Sequence, residues 1–133
     1  MMRDSPIIVD GLNHAFGKGA LRKQILFDIS TEIPAGEIVI VTGPSGSGKT
    51  TLLTIVGALR SAQSGSVRVL GQELCNAKPK VLEQVRGQIG FIFQQHNLLA
   101  ALTAEQNVEL GLRVQGAMTL SQRKKRAVKM LDA

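Results

Sequence analysis

Apolar and polar positions follow two rhythms along this chain. Ile25, Phe27, Ile29, Thr31 and Ile33 alternate with Leu26, Asp28, Ser30 and Glu32. That period of two predicts a half-buried strand of an antiparallel sheet. Residues 37–42 and 89–93 are instead almost continuously apolar, and predict strands buried on both faces. Residues 7–12 read as a first strand, and 65–71, bounded by glycines, as a short one. Residues 13–23 form a polar connection between the first two strands, and Pro34-Ala35-Gly36 predicts a turn. Helical spacing appears four times. Residues 51–59 predict a helix that ends by 61–64. Residues 78–86 predict a second, with Val81, Leu82 and Val85 on one side. Thr103 with Gln106 is a capping-box pattern that opens a helix through about Val114, and Gly116 breaks it. Thr119 with Gln122 repeats the pattern and opens a last helix, with Ala127, Val128 and Leu131 at helical spacing. Early half-buried strands followed by buried strands and helices predict a mixed α/β domain.

Composition narrows the function classes. With 133 residues and 44% hydrophobic content the chain is long enough for a domain with its own core. Residues 1–20 lack the apolar centre of a signal peptide, and apolar runs of about five residues fall short of the ~20 that span a bilayer. The single cysteine, Cys75, has no internal disulfide partner, which fits a reducing compartment. The net charge is +6, yet residues 119–133 alone carry Arg123, Lys124, Lys125, Arg126 and Lys129 against Asp132. The rest is nearly balanced, so the basic stretch reads as a solvated helix face. With 3% aromatics and no Trp or Tyr, there is little on which nucleic-acid bases could stack. No nucleic-acid partner is expected.

The candidate chemistry lies between the apolar run 37–42 and the helix 51–59. Gly43-Pro44-Ser45-Gly46-Ser47-Gly48-Lys49-Thr50 matches G-x-x-x-x-G-K-[ST], the P-loop pattern. The glycines let backbone amides approach a phosphate, and the following helix aims its free N–H groups and positive dipole end at the same point. Lys49 is expected to reach the β- and γ-phosphates, and the Thr50 hydroxyl to ligate Mg²⁺. Thr51 belongs to the same first helical turn and joins the expected phosphate-binding set. The motif by itself says nucleoside triphosphate without saying which.

Further motifs occur in order around the loop. Phe16 precedes the second strand. Ser64-Gly65-Ser66-Val67 and Gly71 follow the P-loop helix. Phe91-Ile92-Phe93-Gln94 ends the second buried run, and Leu98-Leu99, Leu102-Thr103 and Asn107-Val108 lead into the last helices. In these features the chain resembles the nucleotide-binding domain of ABC transporters. Within that family it is most similar to exporter ATPases of the DevA, lipoprotein-release and macrolide-export types. The resemblance implies a P-loop NTPase fold, a RecA-like α/β core plus N-terminal antiparallel strands. Residues 1–95 would form that part and 96–133 the start of a helical subdomain. It also implies ATP and Mg²⁺ as ligands, with Phe16 stacking on adenine. Gln94 would be the Q-loop glutamine, touching Mg²⁺ or the attacking water. The implied partners are a membrane permease, docking near residues 94–103, and a second ATP-binding subunit in an ATP-dependent dimer. The implied location is peripheral, on the cytoplasmic face of the plasma membrane.

Three family features are missing from these 133 residues: an L-S-G-G-Q signature, an apolar run ending in Asp-Glu, and a switch histidine, since His14 and His96 come too early. The expectation is therefore an N-terminal part of a cassette that holds Mg·ATP with negligible turnover on its own. Two other readings stay open: a truncated or binding-only gene product, and a non-transport P-loop kinase. His96 reads as a surface loop residue, and His14 has no identifiable partner.

Overall fold

The computed structural model describes residues 5–113 and 116–133, so the expected helix end at Val114 lies outside the described residues. The chain divides into two compact units, with the boundary between Ile89 and Gly90.

The first unit is built on a four-stranded sheet. Its strands are β1 (Ile7–Phe16), β2 (Lys23–Ile33), β3 (Ser64–Val69) and β4 (Gln72–Glu73), in the order β2-β1-β3-β4. Every neighbouring pair is antiparallel, as expected for β2, but the expected alternation of β2 breaks near its register shift, where Leu26 is buried and Phe27 is 63% exposed. β1 runs on to Phe16, past its expected end at residue 12, because β2 pairs with it as far as Phe16, whose partner is Lys23, while its ladder with β3 ends at Asn13. Between Val9 and Ala15 its register with β2 shifts repeatedly. Polar side chains take up the groups this frees: the Gly11 amide donates to Ser30 Oγ, and Asn13 Oδ1 accepts from the Asp28 amide and from Gln24 Nε2. Only glycine fits at 65 in β3. Its φ is +86°, and a Cβ there would lie 2.5 Å from the Gly11 carbonyl oxygen.

Two helices complete this unit, α1 (Lys49–Val56) and α2 (Pro79–Arg86). The core joins Val9, Leu12, Leu26, Val67 and Val69 of the sheet to Ile55 of α1 and Val85 of α2, with Ala58, Ala62 and Leu74 filling between them. α1 stops short of the expected residue 59. Gly57 caps it, and Ala58 turns into a left-handed conformation (φ 55°). A long-range contact steadies that turn: Arg86 Nη1 donates to the Ala58 carbonyl at 2.9 Å.

The second unit is a pair of helices, α3 (Ala104–Arg113) and α4 (Leu120–Leu131). Both expected capping boxes are present. Thr103 and Gln106 exchange backbone-to-side-chain bonds of 2.9 and 3.2 Å, and Thr119 and Gln122 bonds of 2.9 and 3.3 Å. Of the apolar positions expected on α4, Ala127 is buried while Val128 and Leu131 are exposed. Buried Glu109 on α3 accepts from Arg123 Nε at 3.2 Å, and Arg123 Nη1 also donates to the Met118 carbonyl. Arg123 thus ties the two helices together, whereas the sequence pattern placed it on a solvated face.

The mixed α/β class holds, but the two continuous apolar runs do not form strands. Residues 37–42 and 89–93 have no ladder partner among the described residues. Ile38 is 95% and Ile92 90% exposed. A strand buried on both faces takes its hydrogen bonds and its cover from neighbouring strands and helices. The side chains carry that propensity, and no described strand lies alongside to use it. None of the described helices is long and apolar enough to cross a membrane.

Candidate functional site

The P-loop lies between the extended run 37–42 and α1. Gly46 (φ 79°) and Gly48 (φ 95°) take conformations that suit glycine. Gly48 is the N-cap of α1, and no side chain caps this helix, so its first-turn amides are left to an outside acceptor. Ser47 N donates to the Pro44 carbonyl at 3.2 Å and closes the loop. The Lys49 ammonium folds back over the loop. It donates to the carbonyls of Gly43 and Pro44, both at 2.8 Å, and reaches Ser47 Oγ at 3.4 Å.

Beside the loop is a cleft of about 290 Å³ lined by Phe16, Ile25, Ser45, Gly46, Gly48, Lys49, Thr50 and Thr51. Phe16 therefore shares a wall with the phosphate loop although 27 or more residues separate them in sequence. The fold achieves this because β1 ends at Phe16, while its neighbour β2 carries Ile25 and Leu26 under Gly48. The donor set fits a hydrated Mg·phosphate group: backbone amides and one ammonium for phosphate oxygens, and the Thr50 hydroxyl for a cation that keeps most of its other ligands as water and phosphate.

Gln94 belongs to the second unit. It is exposed, in a turn over residues 94–97 that is closed by a bond from His96 N to the Phe93 carbonyl (3.0 Å). His96 and Asn97 have positive φ values of 59° and 50°. After this turn Leu98 and Leu99 are exposed, and Leu102 is partly buried. Asn107 holds the segment: its Oδ1 accepts from the Leu99 amide, and its Nδ2 donates to the carbonyls of Leu99, Leu102 and Thr103.

Several residues around Phe16 escaped the sequence reading. His14 is buried (3% exposed), and its Nδ1 finds no hydrogen-bond partner among the described residues. Its ring meets Phe16 edge-on, at 5.0 Å between centroids. Burial, and then the nearby Arg60 charge, hold the imidazole pKa below its usual value. The Arg60 guanidinium stands over the Phe16 ring, 4.7 Å from its centroid. Gln63 holds both backbone groups of Ala15, its Oε1 accepting from the amide (2.8 Å) and its Nε2 donating to the carbonyl (2.9 Å). Central strands are the usual place for buried side chains, so the position of β1 in the sheet was the missing signal for His14. Nothing local marks Arg60 or Gln63.

Comparison with known proteins follows the same lines. The family model described as "ABC transporter" matches residues 26–133. A macrolide export ATP-binding/permease protein MacB of Neisseria gonorrhoeae is 46% identical over 122 residues, which is 91% of this chain and 19% of that protein. The lipoprotein-releasing system ATP-binding protein LolD 2 of Rhodospirillum rubrum is 46% identical over 98 residues, 73% of this chain and 42% of its own length. Among solved structures, the ATP-binding cassette MJ0796, a dimer bound to ADP and Pi in a post-hydrolysis state, superposes with a TM-score of 0.84 at 36% identity. That match covers 95% of this chain and 56% of the other. The chain thus spans about a fifth of the MacB relatives and less than two thirds of the others.

Proposed function

The chain belongs to the ABC transporter family, and from that premise we propose that it is an ATP-binding part of an exporter and holds Mg·ATP in the P-loop cleft. The observation that carries this reading is the shared cleft: an aromatic wall, Phe16, faces the same space as the glycine loop, Lys49 and Thr50. A nucleobase needs the first and a triphosphate the second.

In this reading the Lys49 ammonium exchanges the carbonyls of Gly43 and Pro44 for β- and γ-phosphate oxygens. The amides of Ser45, Gly46, Ser47, Gly48 and Lys49, with the first turn of α1 as far as Thr50 and Thr51, surround the phosphates. The Thr50 hydroxyl would hold Mg²⁺, which would supply neutralisation of the phosphate charge. Gln94 is the residue assigned to the metal or the attacking water. These residues orient the reactants, and no Asp-Glu pair follows an apolar run in these 133 residues to polarise the water. Turnover by this chain alone is therefore expected to be negligible.

A membrane permease is the partner proposed with it, docking near residues 94–103, together with a second ATP-binding subunit in an ATP-dependent dimer; the names of the relatives, transporter components, support a membrane partner. With such partners the protein would work at the cytoplasmic face of the membrane. Names of the relatives include a macrolide exporter and a lipoprotein-releasing system, and an export role for this chain is taken from them.

Calorimetric titration of the chain with Mg·ATP tests the core of this reading. Binding is expected, and Lys49→Ala should weaken it by about tenfold or more, the value of a charge-assisted contact to phosphate. Equal affinity in wild type and Lys49→Ala would reject the site, and a Lys49-dependent ATPase rate would reject the expectation of negligible turnover.

A further inference from the structure

The surroundings of Phe16 carry a consequence for nucleotide affinity. Phe16 lines two clefts. The P-loop residues line only the first, and Arg60 and Gln63 only the second, which measures about 500 Å³. The ring stands between them. Arg60 lies over it at 4.7 Å. Arg60 is itself placed by the end of α1, where its amide donates to the Thr54 carbonyl at 3.1 Å. Gln63 holds the residue before Phe16 by both backbone groups, across 48 positions in sequence. His14 closes the ring edge. Backbone, one face and one edge of the aromatic side chain are thus each held by a separate contact.

We propose that Arg60 and Gln63 are positioning residues for the nucleobase: they hold Phe16 as a preorganised stacking wall and so set the base-dependent part of nucleotide affinity. This rests on the P-loop cleft binding Mg·ATP. Phe16 is 37% exposed at the end of a strand, where an unsupported ring would sample several rotamers and lose entropy on stacking. A guanidinium over one face restricts the ring. It also draws electron density from it, which favours an electron-rich purine on the opposite face. A phenylalanine, with no hydroxyl to anchor its tip, depends on such support. Neither residue lines the P-loop cleft, so the phosphates should not feel their loss.

The test compares Mg·ATP with Mg·tripolyphosphate, which has the phosphates and no base. Affinities are measured by calorimetry on the full chain for wild type, Arg60→Ala, Arg60→Lys, Gln63→Leu, Phe16→Ala and the Phe16→Ala/Arg60→Ala pair. Arg60→Ala should weaken Mg·ATP by about two- to fivefold, the range of an exposed cation–π contact. Gln63→Leu should weaken it in the same direction, and Arg60→Lys should restore most of the Arg60→Ala loss. Mg·tripolyphosphate affinity should not change in any of them, which also reports that the variants fold. In the Phe16→Ala background, Arg60→Ala should have no further effect. Unchanged Mg·ATP binding in Arg60→Ala and Gln63→Leu overturns the proposal. So does an equal loss for both ligands, or an Arg60 effect that survives without Phe16. If Lys49→Ala fails to reduce binding of either ligand, the P-loop reading itself fails and the proposal falls with it.

Discussion

Gly48 concentrates three demands in one residue. It caps α1, it bends the phosphate loop at φ 95°, and it lies against β2. A Cβ at this position would sit 2.6 Å from Leu26 Cδ2 and 3.3 Å from the Ile25 carbonyl oxygen. The leucine methyl can move, but the Ile25 carbonyl is backbone and gives way less easily. Gly48→Ala should therefore destabilise the chain by about 1–3 kcal/mol, through backbone strain and crowding together. Denaturant melts with unchanged m-value would check this. Two titrating side chains act at the same scale. The unfolded chain takes up a proton at His14 near its ordinary value of 6.5, whereas the folded chain resists until lower pH. Between the two the unfolded state binds more protons, so stability falls as pH is lowered through and below about 6.5. Burial raises the Glu73 pKa, but bonds from the Ser66 hydroxyl and the amides of Val67 and Cys75, with the Arg68 charge, outweigh it and hold the carboxylate below its usual 4.5. A second loss of stability is therefore expected below pH 4.5. His14→Phe should remove the first decline and leave the second, as read from melting temperature against pH.

At the scale of elements, the helix starts were legible from two four-residue patterns. Thr103 with Gln106 and Thr119 with Gln122 make their reciprocal bonds as read, because a capping box needs only residues three apart. Thr119→Ala should cost about 1 kcal/mol. The loss should appear as faster hydrogen exchange at the first turn of α4, while amides of β1 and β3 keep their protection. Helix ends were harder to read. α1 closes at Gly57, yet the left-handed Ala58 that follows is held by Arg86 of α2, a contact no local pattern announces. Likewise β1 extends to Phe16 because β2 pairs with it to that end, which its own sequence after residue 12 did not suggest.

Across the molecule, the antiparallel sheet gathers most of the buried core, but residues 38–41 form an exposed apolar segment outside its ladders. Ile38 and Ile40 are 95% and 80% exposed. Exposed β-branched runs with free backbone groups promote association between chains. Ile40→Lys should therefore reduce self-association of this chain, seen as a lower weight-average mass in sedimentation at equal concentration. Its melting temperature should hardly move, since the side chain contributes little buried area.

The sequence by itself determined the P-loop, the α/β class, the antiparallel setting of β2 and the two capping boxes. Each depends on residues close together in the chain, or on a periodicity that sterics impose within one element. Tertiary structure decided the rest. It put Phe16 on the wall of the P-loop cleft, buried His14 in a central strand, and set Arg60 and Gln63 behind the aromatic ring. It also left residues 38–42 and 89–93 outside the sheet ladders of the described residues, since a strand's propensity lies in its own side chains and its ladder bonds lie in its neighbours.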